Sequence, residues 1–599
     1  MTTSILSVKN LVTSFRVDKQ WVPVVKDVSF SIERGETVAV VGESGSGKSV
    51  TALSIMRLLQ AGIGKSEGSI KLDGRELLTL PEPEMKKVRG GDIGMIFQEP
   101  MTSLNPVLTA GNQVAEALRN HRDMSASEAA KETIRLFELV RIPDAKRRAG
   151  EFPHSFSGGM RQRVMIAMAL ACQPKLLIAD EPTTALDVTI QAQILQLIHE
   201  LQQEIGMAVL FITHDMGVVA EISDRVVVML HGEKVEEKPV AELFRNAEHG
   251  YTRMLLSAVP KLGALSGTST PRRFPKMSIE GPGPEFPPEE DRRGEKILEV
   301  KNLTTRFAIS GGLMGRTVGN VHAVENVSFD LRAGETLSLV GESGCGKTTT
   351  GRTILRLREP VSGSITFEGN DITHASASEL RLARQRMQMI FQDPYGSLNP
   401  RQTIGSAISE PLMVHKIGDQ NGIQERVAEL LELVGMKPEH ALRFPHEFSG
   451  GQRQRLCIAR CLGMNPSLIL ADESVSALDA TIKAQVINLM LELQERLGVS
   501  YVFISHDIAA VERISHRIAV MLLGEIVEIG PRDQVLSNPQ HPYTQKLISA
   551  VPLPDPEKRR ERQGLMADEL KSPIRKLDWV APERTMVPVG PGHFIMEHA

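Results

Sequence analysis

The sequence predicts an α/β protein built from two tandem copies of one large domain. Long segments recur: GETVAVVGESGSGKS at 35–49 returns as GETLSLVGESGCGKT at 334–348, and IFQEPMTSLNP at 96–106 returns as IFQDPYGSLNP at 390–400. Within each copy, short apolar runs of strand length give way to amphipathic helical patterns, as buried parallel strands and their covering helices do. A repeat this long indicates a duplicated domain and not a solenoid unit.

The overall composition is that of a globular protein. The chain has 599 residues, of which 41% are hydrophobic and 24% charged, and a formal net charge of −4. This balance provides no general basic field, so nucleic acid is disfavoured as a partner. The four cysteines, Cys172, Cys345, Cys457 and Cys461, form no CxxC pair, as expected for a reducing compartment. No signal peptide and no run of 18 apolar residues occurs, so we expect a cytoplasmic chain that does not span a bilayer by itself.

The repeat and the composition together predict the domain boundaries. The first domain is assigned to 1–262 and the second to 297–553. Between them, 263–296 is rich in proline and predicts an extended linker without a core of its own. The end of the chain, 554–599, is interpreted as a C-terminal tail. Within the first copy, the stretch from Pro106 to Phe156 has helical patterns throughout, which predicts a helical insert on the α/β core.

Each copy contains the phosphate-loop motif GxxxxGK[ST] between a predicted strand and a predicted helix. In such a loop glycines let backbone N–H groups surround phosphates, lysine binds the terminal phosphate oxygens and the hydroxyl residue binds Mg²⁺. Two matches in the same context exclude coincidence, so we predict two ATP sites with Mg²⁺. Their residues are Gly42, Ser44, Gly45, Gly47, Lys48 and Ser49 in the first copy, and Gly341, Ser343, Gly344, Gly346, Lys347 and Thr348 in the second.

Acidic and polar residues end three further predicted strands of each copy. An Asp-Glu pair ends one of them, a glutamine a second and a histidine a third. Because carboxyl ends of parallel strands meet at one sheet edge, the aspartates are candidates for holding Mg²⁺ and the glutamates for orienting a water. The glutamines could sense Mg²⁺ or water, and the histidines should emerge at the same edge. Each residue type also has a purely structural interpretation. The acidic residues would then only solvate the strand ends, the histidines would be capping residues and the glutamines would belong to turns. The residues are Asp180, Glu181, Gln98 and His214, and then Asp472, Glu473, Gln392 and His506.

A third motif lacks a lysine but starts a helix with two glycines. SFSGGMRQR at 155–163 returns as EFSGGQRQR at 447–455. A helix N-terminus with exposed backbone N–H groups attracts anions. The motif therefore predicts a second phosphate cradle in each copy.

Over almost its whole length the sequence resembles the ATP-binding cassette family. The resemblance implies two tandem nucleotide-binding domains, each with a P-loop RecA-like core, an antiparallel β subdomain and a helical subdomain. It also implies that the SGG helix start of one copy docks onto the γ-phosphate bound by the other. Ser157, Gly158 and Gly159 would then complete the site of Lys347, and Ser449, Gly450 and Gly451 that of Lys48. Glu181, His214, Glu473 and His506 are the implied catalytic residues.

Two departures from the family pattern stand out. Phe156 and Phe448 precede the SGG segments where the family commonly has leucine, and Met160 stands where the second copy has Gln452. The aromatic residue that stacks on adenine stays undecided. Phe15 and Trp21 are its candidates in the first copy, and Phe307 is the candidate in the second.

Further segments resemble the peptide-importer branch of the family, among them HGYTRMLLSAVP at 249–260 and HPYTQKLISAVP at 541–552. This resemblance implies an ATPase that energises bacterial import of glutathione or small peptides, with opines and nickel complexes left open. The implied partners are two membrane permeases and a periplasmic or surface binding protein, with the chain peripheral on the cytoplasmic face of the inner membrane. No cysteine follows Cys461, so we expect no iron–sulfur cluster. The alternative is a cassette ATPase acting on ribosomes or nucleic acid.

Overall fold

The structure is a computed structural model. It describes residues 4–99, 103–184, 186–276, 278–280, 283, 286, 290–311, 316–476, 478–562, 574–575, 579, 581–582 and 584–597. Among the described residues, no helix is both long enough and apolar enough to cross a membrane.

The first domain contains two sheets. An antiparallel sheet has the order β2-β1-β4-β5, and a larger sheet has the order β10-β9-β3-β8-β7-β6, in which only β10 is antiparallel. The strands are β1 (Ser4–Val17), β2 (Gln20–Glu33), β3 (Thr37–Val41), β4 (Gly64–Leu72), β5 (Arg75–Glu76), β6 (Ile93–Ile96), β7 (Leu176–Asp180), β8 (Ala208–Thr213), β9 (Arg225–Leu230) and β10 (Glu233–Pro239). Every residue of β3, β7 and β8 is buried, because helices cover both faces of a parallel sheet.

The helices of the first domain alternate with its parallel strands along the chain. They are α1 (Lys48–Ile55), α2 (Glu82–Lys87), α3 (Ala110–His121), α4 (Ala126–Leu139), α5 (Ala145–Arg148), α6 (Gly158–Leu170), α7 (Val188–Ile205), α8 (Met216–Ile222), α9 (Val240–Arg245) and α10 (Gly250–Ala258). Helices α3 to α5 are the predicted helical insert. Ser125 caps α4 with a capping box to Glu128, which explains why this helix starts where it does.

The second domain repeats this plan. Its strands are β11 (Lys296–Gly311), β12 (Arg316–Arg332), β13 (Thr336–Val340), β14 (Ser362–Phe367), β15 (Asn370–Asp371), β16 (Met387–Ile390), β17 (Leu468–Asp472), β18 (Ser500–Ile504), β19 (Arg517–Leu522) and β20 (Glu525–Pro531). Its helices are α11 (Lys347–Ile354), α12 (Ala377–Arg386), α13 (Ile404–Val414), α14 (Gln420–Leu433), α15 (Gly450–Leu462), α16 (Ala480–Leu497), α17 (Ile508–Ile514), α18 (Arg532–Ser537) and α19 (Pro542–Ser549).

The first part of the linker differs from the extended tether that its prolines predict, because it packs on the second domain. Leu265 and Phe274 are each only 1% exposed, and Phe274 belongs to the apolar core of that domain. The Arg532 guanidinium, itself 1% exposed, donates to the carbonyls of Thr268 and Thr270. Apolar anchors between the prolines thus give this stretch a docked conformation. We call residues 261–276 the linker strap.

The C-terminal segment also differs from a plain tail. Strands β22 (Met586–Gly590) and β23 (His593–Met596) extend the large sheet of the second domain, whose order is β16-β17-β18-β13-β19-β20-β23-β22. A short strand, β21 (Ile574–Arg575), pairs with β12. His593 Nε2 lies 2.8 Å from Glu528 Oε1, and both side chains are buried.

The 3₁₀ turn Pro556–Arg562 reaches the first domain. The Arg559 guanidinium donates to the carbonyl oxygens of Ile222 and Ser223 at the end of α8, at 3.1 and 3.3 Å. We call residues 552–562 the C-terminal strap. Each domain therefore sends the segment that follows its last helix onto the other domain.

Candidate nucleotide sites at the seam between the domains

The first phosphate loop joins β3 to α1 in a conformation that only glycine tolerates. Gly47, the N-cap of α1, has φ 97°, in the left-handed region. A Cβ atom on Gly42 would lie 2.3 Å from the carbonyl oxygen of Met229. The second loop repeats both features, with Gly346 at φ 108° and Gly341 facing the Met521 carbonyl at the same distance. Close backbone packing thus explains Gly42 and Gly341, and the left-handed φ explains Gly47 and Gly346.

The loop lysines are buried and fold back onto their own loops. Lys48 Nζ donates to the carbonyl oxygens of Gly42 and Glu43, at 2.7 and 3.0 Å. Burial lowers the pKa of Lys48 and outweighs the opposite effect of the carboxylates around it, Glu181 first among them. In the second copy Lys347 Nζ donates to Gly341 and Glu342 at 2.6 and 2.9 Å.

The hydroxyl of each loop bonds to the aspartate that ends the neighbouring strand. Ser49 Oγ donates to Asp180 Oδ1 at 2.9 Å, and Thr348 Oγ1 donates to Asp472 Oδ1 at 2.7 Å. Burial raises the pKa of Asp180 to about 6, and it raises the pKa of Asp472 as well. Asp472 Oδ2 is buried without a hydrogen-bond partner. A nearby positive charge would stabilise the ionised form of both aspartates.

Glu181 lies at the centre of the predicted polar residues of the first site. It has φ 47°, and its N–H donates to the Ile212 carbonyl. Its carboxylate accepts from Gln98 Nε2 at 3.2 Å and from Thr184 Oγ1 at 2.9 Å, and it lies 3.3 Å from His214 Nδ1. Burial raises its pKa, but the hydrogen bond and charge of His214, with smaller help from Thr184 and Lys48, outweigh burial and bring it to about 2. Glu181 is therefore ionised at neutral pH.

The second site has the same geometry. The Glu473 carboxylate accepts from Gln392 Nε2 at 2.6 Å and lies 3.6 Å from His506 Nδ1. Glu473 also has a left-handed backbone, φ 45°. Its pKa is lowered, since His506 outweighs the effect of burial. The structure thus brings together, in each copy, the loop lysine, hydroxyl, aspartate, glutamate, glutamine and histidine that the sequence singles out.

The SGG segments start helices, as predicted. Ser157 is the N-cap of α6 and accepts from Met160 N, while Ser449 is the N-cap of α15 and accepts from Gln452 N. The serine and the first glycine of the earlier segment are exposed. The second glycine has no room for a side chain: a Cβ on Gly159 would lie 2.7 Å from Ile190 Cγ2. In the second copy the corresponding Cβ on Gly451 would lie 2.2 Å from Ile482.

Two aspartates that the sequence analysis did not select connect each domain to the phosphate loop of the other. Ser44 N donates to Asp479 Oδ2 at 2.9 Å, and Ser343 N donates to Asp187 Oδ2 at 2.7 Å. Beside them, Thr189 Oγ1 donates to Glu342 Oε1 at 2.7 Å, and Thr481 Oγ1 donates to Glu43 Oε1. These reciprocal contacts define the seam. The repeated letters ALD before each of helices α7 and α16 are the sequence signal that would have found the aspartates.

The three candidates for adenine stacking lie in the antiparallel sheets of the two domains. Trp21 is 42% exposed, and Lys65 Nζ lies 5.1 Å from its ring centre. Phe307 lies under the Arg358 guanidinium at 5.8 Å, and Phe15 pairs with Val22 in the β1·β2 ladder.

The duplicated phosphate-loop fold and its two polar sites are those of a nucleotide-binding protein of the phosphate-loop class. A family model described as "ABC transporter" matches residues 25–184 and 324–476. The chain belongs to the ABC transporter family, as an ATP-binding ATPase. A second model, "Oligopeptide/dipeptide transporter, C-terminal region", matches 235–280 and 527–574.

Among particular proteins, the chain is 56% identical to the glutathione import ATP-binding protein GsiA of Escherichia coli (strain K12), over 99% of this chain and 97% of that protein. The protein of the same name from Salmonella typhimurium is also 56% identical, over 99% and 96%. Among solved structures, the ATP-binding cassette MJ0796, a dimer in a post-hydrolysis state bound to ADP and Pi, is 33% identical. It covers 39% of this chain and 98% of its own, with a TM-score of 0.36.

Proposed function

We propose that this chain binds two ATP molecules at composite sites along the seam and uses their hydrolysis to drive a bacterial importer of glutathione or small peptides. The carrying observation is the reciprocal contact of Asp479 with the first phosphate loop and of Asp187 with the second. A nucleotide bound to either loop would therefore lie against both domains. Binding would favour the closed seam, and loss of the γ-phosphate would weaken it.

The SGG segments are the proposed second half of each site. Gly159 packs on Ile190, the neighbour of Thr189, which bonds to Glu342 in the opposite phosphate loop. This short chain of contacts connects the start of α6 to the site of Lys347. The helix N-terminus would supply backbone N–H groups to the γ-phosphate. By the same argument Ser449, Gly450 and Gly451 serve the site of Lys48.

The polar residues that lie beside each phosphate loop, all from the same domain as the loop, support in-line attack of water on the γ-phosphate. The lysine ammonium, held by the loop carbonyls, has a further N–H for phosphate oxygens and would neutralise charge that develops in the transition state. With a pKa of about 2, Glu181 is a weak base, so its role is to accept hydrogen bonds from the attacking water and orient it. Gln98 and His214 hold that carboxylate in place. Glu473, Gln392 and His506 do the same in the second site.

The polar oxygens beside each loop fit Mg²⁺. A hydroxyl and a carboxylate are hard oxygen ligands, and the buried Asp472 Oδ2 has no hydrogen-bond partner to lose. No group of three or more His, Cys, Asp or Glu residues that could hold a metal occurs in the described ranges. Mg²⁺ usually binds through one or two carboxylates together with phosphates and water. Ser49, Asp180 and Gln98 would hold it in the first site, and Thr348, Asp472 and Gln392 in the second; it would neutralise phosphate charge.

The transported molecule and the partners are proposed from the relatives. The two relatives described above are named for glutathione import, and they match over nearly the full length of both chains. The second family model is named for oligopeptide and dipeptide transport. We therefore propose that two permease subunits and a substrate-binding protein complete the importer, with this chain peripheral on the cytoplasmic face of the inner membrane. No nucleic acid and no iron–sulfur cluster belong to this proposal.

Uptake measurements test the substrate and the energy source together. A strain lacking this gene would be complemented with the wild type, with Lys48→Ala or with Lys9→Ala, whose side chain is exposed and lies outside the site. We expect wild type and Lys9→Ala to restore uptake of labelled glutathione, and Lys48→Ala to abolish it. Uptake of dipeptides but not glutathione would reassign the substrate. Equal uptake with Lys48→Ala would contradict the proposed role of the loop.

A further inference from the structure

A buried tyrosine hydroxyl contacts the phosphate loop in both domains. Tyr251 Oη accepts a hydrogen bond from the N–H of Glu43 at 2.8 Å, and Tyr543 Oη accepts one from the N–H of Glu342 at 3.0 Å. The two tyrosines are 1% and 8% exposed. They belong to the segments HGYT and HPYT, within the regions matched by the second family model. Nothing in the proposed chemistry accounts for them.

The tyrosine and the loop lysine bind opposite ends of one peptide unit. The N–H of Glu43 and the carbonyl of Gly42 belong to the same planar amide. Tyr251 accepts from the N–H, while Lys48 Nζ donates to the carbonyl at 2.7 Å. In the second copy the N–H of Glu342 and the carbonyl of Gly341 are held in the same way by Tyr543 and Lys347. Fixing the N–H end therefore fixes the carbonyl that orients the lysine.

The tyrosines are themselves held by their own segments. Tyr251 N donates to His249 Nδ1, and the backbone N–H groups of Glu248 and His249 donate to the Glu236 carboxylate. Burial raises the pKa of Tyr251, so its hydroxyl stays neutral. The second domain repeats the arrangement through His541 and Glu528. Each hydroxyl is thus presented to the loop by a rigid support.

The same loop residue also contacts the opposite domain. The Glu43 side chain accepts from Thr481, and the following N–H, that of Ser44, donates to Asp479. Glu342 and Ser343 make the equivalent contacts to Thr189 and Asp187. Of these two successive N–H groups, the first is therefore bound from within the domain and the second from across the seam.

We propose that Tyr251 and Tyr543 are positioning residues of the two ATP sites: they hold the phosphate-loop peptide that orients the lysine, and so couple the segment after β10 and β20 to nucleotide affinity. This inference rests on the proposed use of both phosphate loops. The tyrosines act through the loop and touch no substrate.

The test is equilibrium binding of a fluorescent ATP analogue to the full chain, with KM and kcat for ATP measured in parallel. Tyr251→Phe and Tyr543→Phe, singly and together, remove only the hydroxyl and take this partner from the N–H of Glu43 or Glu342. We expect the affinity of the altered site to fall roughly fivefold to tenfold, with a matching rise in KM. Each single variant should show one weakened and one unchanged site.

Tyr501→Phe is the matched control. Tyr501 is also buried, and its hydroxyl donates to the Met490 carbonyl at 3.2 Å, inside α16 and away from either loop. It should lower the thermal midpoint about as much as the other two variants do, with KM unchanged. If Tyr251→Phe and Tyr543→Phe behave like Tyr501→Phe, the inference is wrong.

The lysine variants separate this failure from failure of the proposed function. We expect Lys48→Ala and Lys347→Ala each to remove analogue binding at one site. If they do so while the tyrosine variants bind normally, only the inference fails. If the lysine variants also bind normally, the proposed sites themselves are contradicted and the inference falls with them.

Discussion

Glu181 and Glu473 have a backbone conformation that is uncommon for residues other than glycine. Both lie in the left-handed region, and their N–H groups donate to the carbonyls of Ile212 and Ile504 on the adjacent strand. A left-handed non-glycine residue is held only when its surroundings stabilise it. Here the cost is offset by the amide and histidine partners of each carboxylate. The result is an ionised carboxylate aimed at one edge of the sheet.

Removing that charge tests whether both sites hydrolyse ATP. Glu181→Gln and Glu473→Gln keep the shape of the side chain, but each loses the negative charge that binds the histidine and orients water. We expect each single variant to lower steady-state ATPase turnover by about half or more, and the double variant to be inactive.

Glu200→Gln serves as control, because Glu200 is on the exposed face of α7, paired with Arg141. Full turnover in Glu181→Gln or in Glu473→Gln would show that the two sites are not used alike.

The SGG helices differ in how their first turns are capped. In α15, Ser449 Oγ accepts from Gln452 N while Gln452 Oε1 accepts from Ser449 N, which makes a complete capping box. In α6, Met160 occupies the glutamine position, so only the serine half of the box forms. The two proposed phosphate cradles are therefore unequal in rigidity.

Exchanging these residues should exchange the difference. Gln452→Met removes one hydrogen bond from the start of α15, at a cost of about 0.5–1 kcal/mol, and Met160→Gln supplies one to α6. Hydrogen exchange followed by mass spectrometry on peptides spanning 445–453 and 153–161 measures the effect. We expect roughly threefold faster exchange in the first peptide and slower exchange in the second. Unchanged exchange in both peptides would mean that the box contributes nothing measurable.

At the scale of the whole molecule, the linker strap and the C-terminal strap connect the two domains to each other. The linker strap lies on the second domain, where Gly263 N and Leu265 N donate to the Glu512 carboxylate at 3.0 and 2.9 Å. The C-terminal strap lies on the first, through Arg559 and α8. The C-terminal strap starts beside the first domain, since Pro552 lies against Gly217. The two domains are therefore joined by these segments as well as by the contacts across the seam.

Phe274 is the main apolar anchor of the linker strap. Its N–H donates to Asn488 Oδ1 at 2.7 Å, its carbonyl accepts from Asn488 Nδ2 at 2.9 Å, and the Arg513 guanidinium lies 4.8 Å from its ring. Phe274→Ala removes the ring from the core. For a fully buried phenylalanine this lowers the free energy of unfolding by about 3–5 kcal/mol. We expect trypsin to cleave this variant after Arg272 and Arg273 faster than it cleaves the wild type. Gel electrophoresis of samples taken over time measures the cleavage rate.

Ile279→Ala is the control for this prediction, because Ile279 is 55% exposed. Equal cleavage rates for Phe274→Ala and the wild type would contradict a strap held by this ring.

The sequence by itself determined the duplication, the α/β class and which polar residues lie together beside each phosphate loop. These features are local in the chain: glycines, lysine and hydroxyl are contiguous, and Asp180 and Glu181 end a strand whose apolar pattern is plain. The rule that carboxyl ends of parallel strands share an edge was enough to bring Gln98 and His214 to Glu181.

Only the tertiary structure decided which groups meet across the seam. The bond from Ser44 to Asp479, the support of Glu43 by Tyr251 and the docking of Phe274 join residues far apart in the chain. A proline-rich composition predicts an extended segment, but it does not predict that the ring of Phe274 packs into the core of the second domain. The composition of the C-terminal segment likewise does not predict that it adds strands to a sheet. Such contacts depend on how two finished surfaces fit, which no local pattern contains.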